Sequence, residues 1–180
     1  MNIELLIRLK SKGIEFAEGL SQSEFLSINQ VYGVEFPFEL KEFYSVALPI
    51  SNNFYNWHDF SSENVSKIKR ALKRPFDDIY EMADEVYWCE DWGVEPDENK
   101  KANVIRLKLE KAPKLIPIYL HRYMPMVNKE NVPIISVCDT DVIYYGENFE
   151  SYLEIEFGDK RQSDIEFEEI EHVPFWSDLL

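Results

Sequence analysis

Leu115-Ile-Pro-Ile-Tyr-Leu-His-Arg-Tyr123, Pro133-Ile-Ile-Ser-Val137 and Val142-Ile-Tyr-Tyr145 are the stretches on which the fold reading turns. Each is short, rich in β-branched and aromatic side chains, and bounded by proline or turn-forming residues, as strands are. Asp139-Thr-Asp141 has the residues of a hairpin turn, so the last two strands are expected to pair antiparallel. The first stretch reads as one strand, with His121-Arg122-Tyr123 lying on it before Pro125.

Towards the N-terminus the period changes from two to nearly four. Ile3, Leu6, Ile7 and Lys10 share one helical face, with Leu5 and Leu9 beside it and Gly13 as the stop. Ser21-Gln-Ser-Glu24 is a capping box, and Leu20 is placed to staple onto Phe25. Phe25, Ile28 and Tyr32 form that helix's buried stripe up to Gly33. Pro37 suits the first turn of a third helix carrying Leu40, Phe43, Tyr44 and Ala47. Leu48 to Asn53 reads as a turn leading to a short strand at Phe54–Trp57. Ser61 or Ser62 caps a helix with Val65, Ile68 and Leu72 inward, and Pro75 is expected to end it. Ala102, Ile105 and Leu109 share one side of a helix that stops before Pro113. After the strands, Asn148 caps a helix bearing Phe149, Tyr152 and Leu153, closed by Gly158. The tail ends in Pro174-Phe-Trp176, expected to dock on the body.

Helices gathered early and a hairpin-rich run of strands later imply an α+β fold, an antiparallel sheet packed with several helices and a helix-rich N-terminal third. Residues 1–180 contain no repeat or Gly/Ser-rich linker and read as one domain. The expected core includes Phe25, Ile28, Leu40, Phe43, Ile118, Ile135 and Ile143.

The chain has 180 residues, 45% of them apolar, enough for a core without staples. No apolar run is long enough to span a bilayer. Glu4, Arg8 and Lys10 interrupt the leader-like Met1–Lys12 stretch, and no small-residue cleavage site follows, so the protein is expected in the cytoplasm. Cys89 and Cys138, far apart, read as reduced, buried thiols.

The three histidines stand singly, and neither cysteine has a partner two residues away, so zinc signatures are absent. Six unclustered glycines exclude a P-loop or dinucleotide fingerprint. Cys138 is followed by Asp139 and Asp141, the wrong neighbourhood for a thiolate nucleophile. No catalytic residue, metal or cofactor is therefore nominated, and the chain is expected not to be an enzyme.

Charge is more informative. Lys and Arg number 19 against 34 Asp and Glu, a net of −15. That excess opposes nucleic acid and anionic membranes, and it favours a basic protein partner. The candidate binding residues lie in segment 77–98: Asp77, Asp78, Glu81, Asp84, Glu85, Glu90, Asp91, Glu95 and Asp97, with Glu98 closing the run. No Lys or Arg falls between Arg74 and Lys100. Tyr80, Tyr87, Trp88 and Trp92 interleave with these acids, the composition of an interface hot spot. At helical spacing Trp88 and Trp92 would share a face, which favours reading them as core, with the acids around them either interface or merely solvated. A second acidic segment, 154–171, reads as a charge-protected edge strand or a further contact surface.

Leu20-Ser-Gln-Ser-Glu24, Tyr32-Gly-Val-Glu-Phe-Pro37 and Leu40-Lys-Glu-Phe43 resemble the opening of the SUKH superfamily, which includes the yeast Smi/Knr cell-wall regulators. Phe54-Tyr-Asn-Trp57, Trp88 with Trp92-Gly93, Leu115-Ile-Pro-Ile118 with His121-Arg-Tyr123, Val142-Ile-Tyr-Tyr-Gly146 and Pro-Phe-Trp176 follow in the family's order. One departure is Ala47-Leu-Pro-Ile-Ser-Asn, where the family often has a glycine-bearing turn. The resemblance implies an α+β fold. It also implies an immunity protein that binds and blocks a cognate toxin domain, often a nuclease; the alternative is an intracellular scaffold or regulator. The family offers no catalytic residues to carry over.

Overall fold

The computed structural model describes residues 3–51 and 53–180. Met1 and Asn2 of the leader-like stretch, and Asn52 of the predicted turn, lie outside the described residues. The fold is α+β. Its helices are α1 (Ile3–Ser11), α2 (Gln22–Tyr32), α3 (Phe38–Val46), α4 (Ser62–Glu81), α5 (Glu98–Leu109) and α6 (Phe149–Glu156). Strands β1 (Phe16–Glu18) and β2 (Ala47–Pro49) make a two-stranded antiparallel sheet. Strands β3 (Leu115–Tyr119), β4 (Arg122–Pro125), β5 (Ile134–Cys138) and β6 (Asp141–Gly146) form an antiparallel meander in that order. No helix among the described residues is long and apolar enough to cross a membrane.

Both faces of the meander are covered. Ile116, Ile118, Met124 and Ile134 share one core with Leu9, Ile28, Leu40, Phe43, Trp57 and Tyr152. Leu115, Tyr123, Ile135, Val137 and Val142, alternating with them along the strands, share another with Ile79, Ile105 and Leu109. The tail completes that second core: Val173, Phe175, Trp176 and Leu179 are buried, and the Trp176 indole N–H donates to the Pro113 carbonyl at 2.8 Å.

Local chemistry formed several elements where the sequence placed them. The capping box is complete: the Ser21 hydroxyl accepts from the Glu24 N–H, and the Glu24 carboxylate accepts from the Ser21 N–H. Asn148 caps α6, and Cys138 pairs with Asp141 across the predicted hairpin.

Elsewhere tertiary packing overrode the local pattern. On α1 the buried arc is Leu5, Leu6 and Leu9, while Ile3 and Ile7 face outward. Ala47–Pro49, read as helix end and turn, is β2, because it meets β1. Phe54–Trp57 is not a strand; Phe54 makes one isolated bridge to Tyr119 before the chain turns. Pro75 does not end α4, whose buried stripe of Ile68, Ala71, Pro75 and Ile79 runs straight through it. That burial offsets the hydrogen bond proline cannot make.

The stretch Leu115–Tyr123 is a hairpin and not one strand. Leu120 takes a left-handed φ of 48°, and Tyr119 pairs with Arg122. The reversal is held from outside: the Leu120 N–H donates to the Asn53 carbonyl, and its carbonyl accepts from the Tyr55 hydroxyl at 2.8 Å. His121 therefore sits at the turn. Two expected core residues differ. Phe25 is half-buried, edge-on to Phe36, and Ile143 is exposed on edge strand β6. Ile143 pairs with Ser136, whose hydroxyl accepts from Arg122, so its surroundings on that face are polar. Cys138 is an exposed thiol and Cys89 a half-buried one.

His58 is in a turn and joins the α2 cap to β1. Its Nδ1 lies 2.6 Å from a Glu24 carboxylate oxygen and its Nε2 2.8 Å from the Glu18 carbonyl. The Ser21 hydroxyl and backbone N–H, and then His58, pull the Glu24 pKa down to about 2. Burial works against the His58 cation, but the Glu18 carbonyl and the Glu24 carboxylate outweigh it and raise its pKa. The depressed carboxylate stabilises the fold above its unfolded pKa of about 4.3 and loses that contribution as pH falls through about 2. The raised histidine stabilises below about 6.5 and loses its contribution as pH rises through its folded pKa. His58→Ala is therefore expected to cost about 1 kcal/mol near pH 6 and less near pH 9, read by thermal melts at the two pH values.

Candidate functional site

The acidic segment begins on the last turn of α4, continues through residues 82–97 and ends on α5. It is not a continuous helix, so Trp88 and Trp92 do not share a helical face. Ala83, Val86 and Trp88 are buried and fasten the segment to the second core. A single 3-10 turn, Glu90–Trp92, follows and reverses at Gly93, whose φ of 88° and ψ of −156° favour glycine. The Trp88 indole N–H donates to the Gly93 carbonyl at 2.8 Å. The Trp92 indole N–H donates to the Asp178 carboxylate at 2.9 Å, and its ring stacks on Phe175. The two tryptophans meet edge to face at 5.3 Å. Trp88 is thus core and Trp92 a half-buried strut, and together they fix the loop in place.

What the loop presents outward is Tyr87 at 66% and Val94 at 96% exposure. These two side chains flank a depression of about 730 Å³ lined also by Glu85, Trp88, Glu90 and Glu95. Its one cation, Lys101, is bound to Glu95 at 2.8 Å.

The structure divides the nominated acids into two groups. Asp77 and Asp78 are answered on their own helix by Lys73 at 2.9 Å and Arg74 at 3.2 Å, one turn earlier. Asp97 lies 3.6 Å from Lys100. Glu81, Asp84, Glu85, Glu90 and Asp91 have no cation within ion-pair distance among the described residues. The unneutralised charge is therefore concentrated on 81–91, beside Tyr87.

The second acidic segment, 154–171, is not an edge strand. It is the end of α6 followed by 3-10 turns at Gln162–Asp164 and Phe167–Glu169. Most of its early charge is spent internally: Glu154 on Arg8, Glu156 on Arg122, Asp159 on Lys12 and Asp164 on Arg161. Among the described residues no three His, Cys, Asp or Glu side chains stand together to hold a metal ion.

Sequence reading missed a second depression, of about 700 Å³, between α4 and the β3–β4 turn. Lys67, Arg70, Lys73 and Arg74 form its helical wall, with Tyr55, Leu120 and His121 opposite. The signal was present as five cations within residues 67–74 of an acidic chain. Compared with models of protein families, with curated proteins and with solved structures, the chain matches none of them.

Proposed function

We propose that this chain is a cytoplasmic immunity protein of the SUKH kind, acting by binding and not by catalysis. It neutralises a cognate toxin domain, a basic nuclease. The observation that carries this reading is the loop 82–97: two indoles hold its backbone, Tyr87 and Val94 project from it, and unneutralised carboxylates surround them. A preorganised aromatic anchor within a charged rim loses little conformational entropy on docking. A nuclease is basic where it grips phosphate, so the carboxylates draw that surface in and cover it. Nucleic acid and membrane are the partners that this charge disfavours.

The test is co-expression with the C-terminal domain of the protein encoded immediately upstream, followed by stopped-flow binding of the purified pair. Wild type is expected to rescue cells from that domain. Charge reversal at Glu85 and Glu90 is expected to slow association about ten-fold and flatten its salt dependence, with little change in dissociation. Tyr87→Ala is expected to speed dissociation, weakening binding by about 2 kcal/mol while melting like wild type. Salt-independent association, or wild-type binding by these variants, would remove the loop from the interface.

A further inference from the structure

The groove between α4 and the β3–β4 turn has the opposite electrostatic character to the loop just described. Lys67, Arg70 and Arg74 follow one another at three- and four-residue spacing, so they stand on one stripe of α4 facing the groove. Lys73 and Arg74 are tied to Asp77 and Asp78. Lys67 and Arg70 have no carboxylate within ion-pair distance among the described residues, although the chain carries 34 acids. The Lys67 ammonium instead lies 5.6 Å from the centre of the Tyr55 ring, on the groove's other wall.

His121 reports the same field. Burial lowers its pKa, and the positive charges of Arg122 and Arg74 lower it further. It enters the groove as a neutral ring able to exchange hydrogen bonds. At the far end Asp77 and Asp78 balance Lys73 and Arg74, and Glu81, without an ion pair among the described residues, makes that end negative. A ligand suited to the whole groove carries concentrated negative charge at one end and hydroxyl donors at the other. A volume of about 700 Å³ is in the range of small-molecule sites.

We propose that this groove binds a phosphate-bearing small molecule, whose phosphate oxygens lie on Lys67 and Arg70 and whose hydroxyl-bearing part points toward Asp78. Arg70 supplies a planar fork that matches two phosphate oxygens, and Lys67 supplies a mobile point charge. Tyr55 and His121 provide the flat surfaces between the two ends. The site is separate from the partner-binding loop, and the proposal does not rest on that loop's role.

The test is titration of the isotopically labelled protein with pyrophosphate and, separately, with ADP, following backbone amide shifts. Saturable shifts confined to residues 67–81, Tyr55 and residues 120–122 are expected. Tighter binding of ADP than of pyrophosphate would show that the organic part is held as well as the phosphates. The K67E/R70E variant is expected to weaken binding at least about ten-fold. A control with the same charge change elsewhere, K100E/K111E, is expected to bind as wild type does. Should K67E/R70E melt early, K67Q/R70Q replaces it with the same expectation. Three results would overturn the proposal: equal weakening in the control, shifts scattered over the surface, or saturation by a polyglutamate peptide where neither phosphate compound binds.

Discussion

Trp176→Ala is expected to remove about 3–5 kcal/mol of folding stability, read as a lowered urea midpoint with an unchanged denaturant slope. The side chain is fully buried at the meeting point of three elements. Phe76 of α4 packs edge-on to it at 5.3 Å, Phe175 does the same, and the carbonyl of Pro113, just before β3, accepts its indole proton. Truncation leaves a cavity that rigid neighbours cannot close, and an acceptor without its donor. Trp176→Phe separates the two parts. It restores most of the volume but not the N–H, so it is expected to recover more than half of the loss. A wild-type midpoint for Trp176→Ala would mean that the tail is not part of the core.

Gly146→Ala is expected to cost about 3 kcal/mol, for a different reason. Its backbone φ is not the source of the difficulty. A Cβ at this position would stand 2.6 Å from the Cα, Cβ and N of Tyr152, so the end of β6 lies directly against the α6 backbone. Tyr152 is itself fully buried and cannot retreat. The helix must shift or the strand must bend, and packed interiors resist both. Gly158→Ala is the contrasting case. There a Cβ meets open space, but φ is +83°, so only the left-handed backbone strain of about 1 kcal/mol is expected. Equal losses at the two glycines in chemical denaturation would contradict this distinction.

What could be read from the residues divides by the range of the forces involved. Ser21 with Glu24, Asn148, and the Asp139–Asp141 hairpin depend on neighbours a few positions away, and they formed as read. α1 shows the opposite case. With Ile3, Leu5, Leu6, Ile7 and Leu9 all apolar, nearly any arc could face inward, and only the location of the core chooses among them. The Leu120 reversal carries no Gly, Asn or Asp to announce it, because its support comes from Asn53 and Tyr55 some sixty-five residues away. The candidate site was legible as composition and not as geometry. Ten acids in 77–98 were visible, but which of them helix neighbours neutralise depends on side-chain placement. The outward direction of Tyr87 beside the inward direction of Trp88 depends on the second core below them.

The covering of the meander on both faces sets an order of events during synthesis on the ribosome. The side chains of the first core have all been made once the chain reaches residue 157. The second still lacks Val173, Phe175, Trp176 and Leu179. At about 5–20 residues per second, the interval between the two is roughly one to four seconds. Until those four side chains arrive, Ile135, Val137 and Val142 lack the cover that the tail gives them in the folded chain. A chain cut just short of Val173 would keep every side chain of the first core and leave the second as an open apolar surface. That is the form in which chaperones would find most to bind, and in which crowded nascent chains would aggregate most readily.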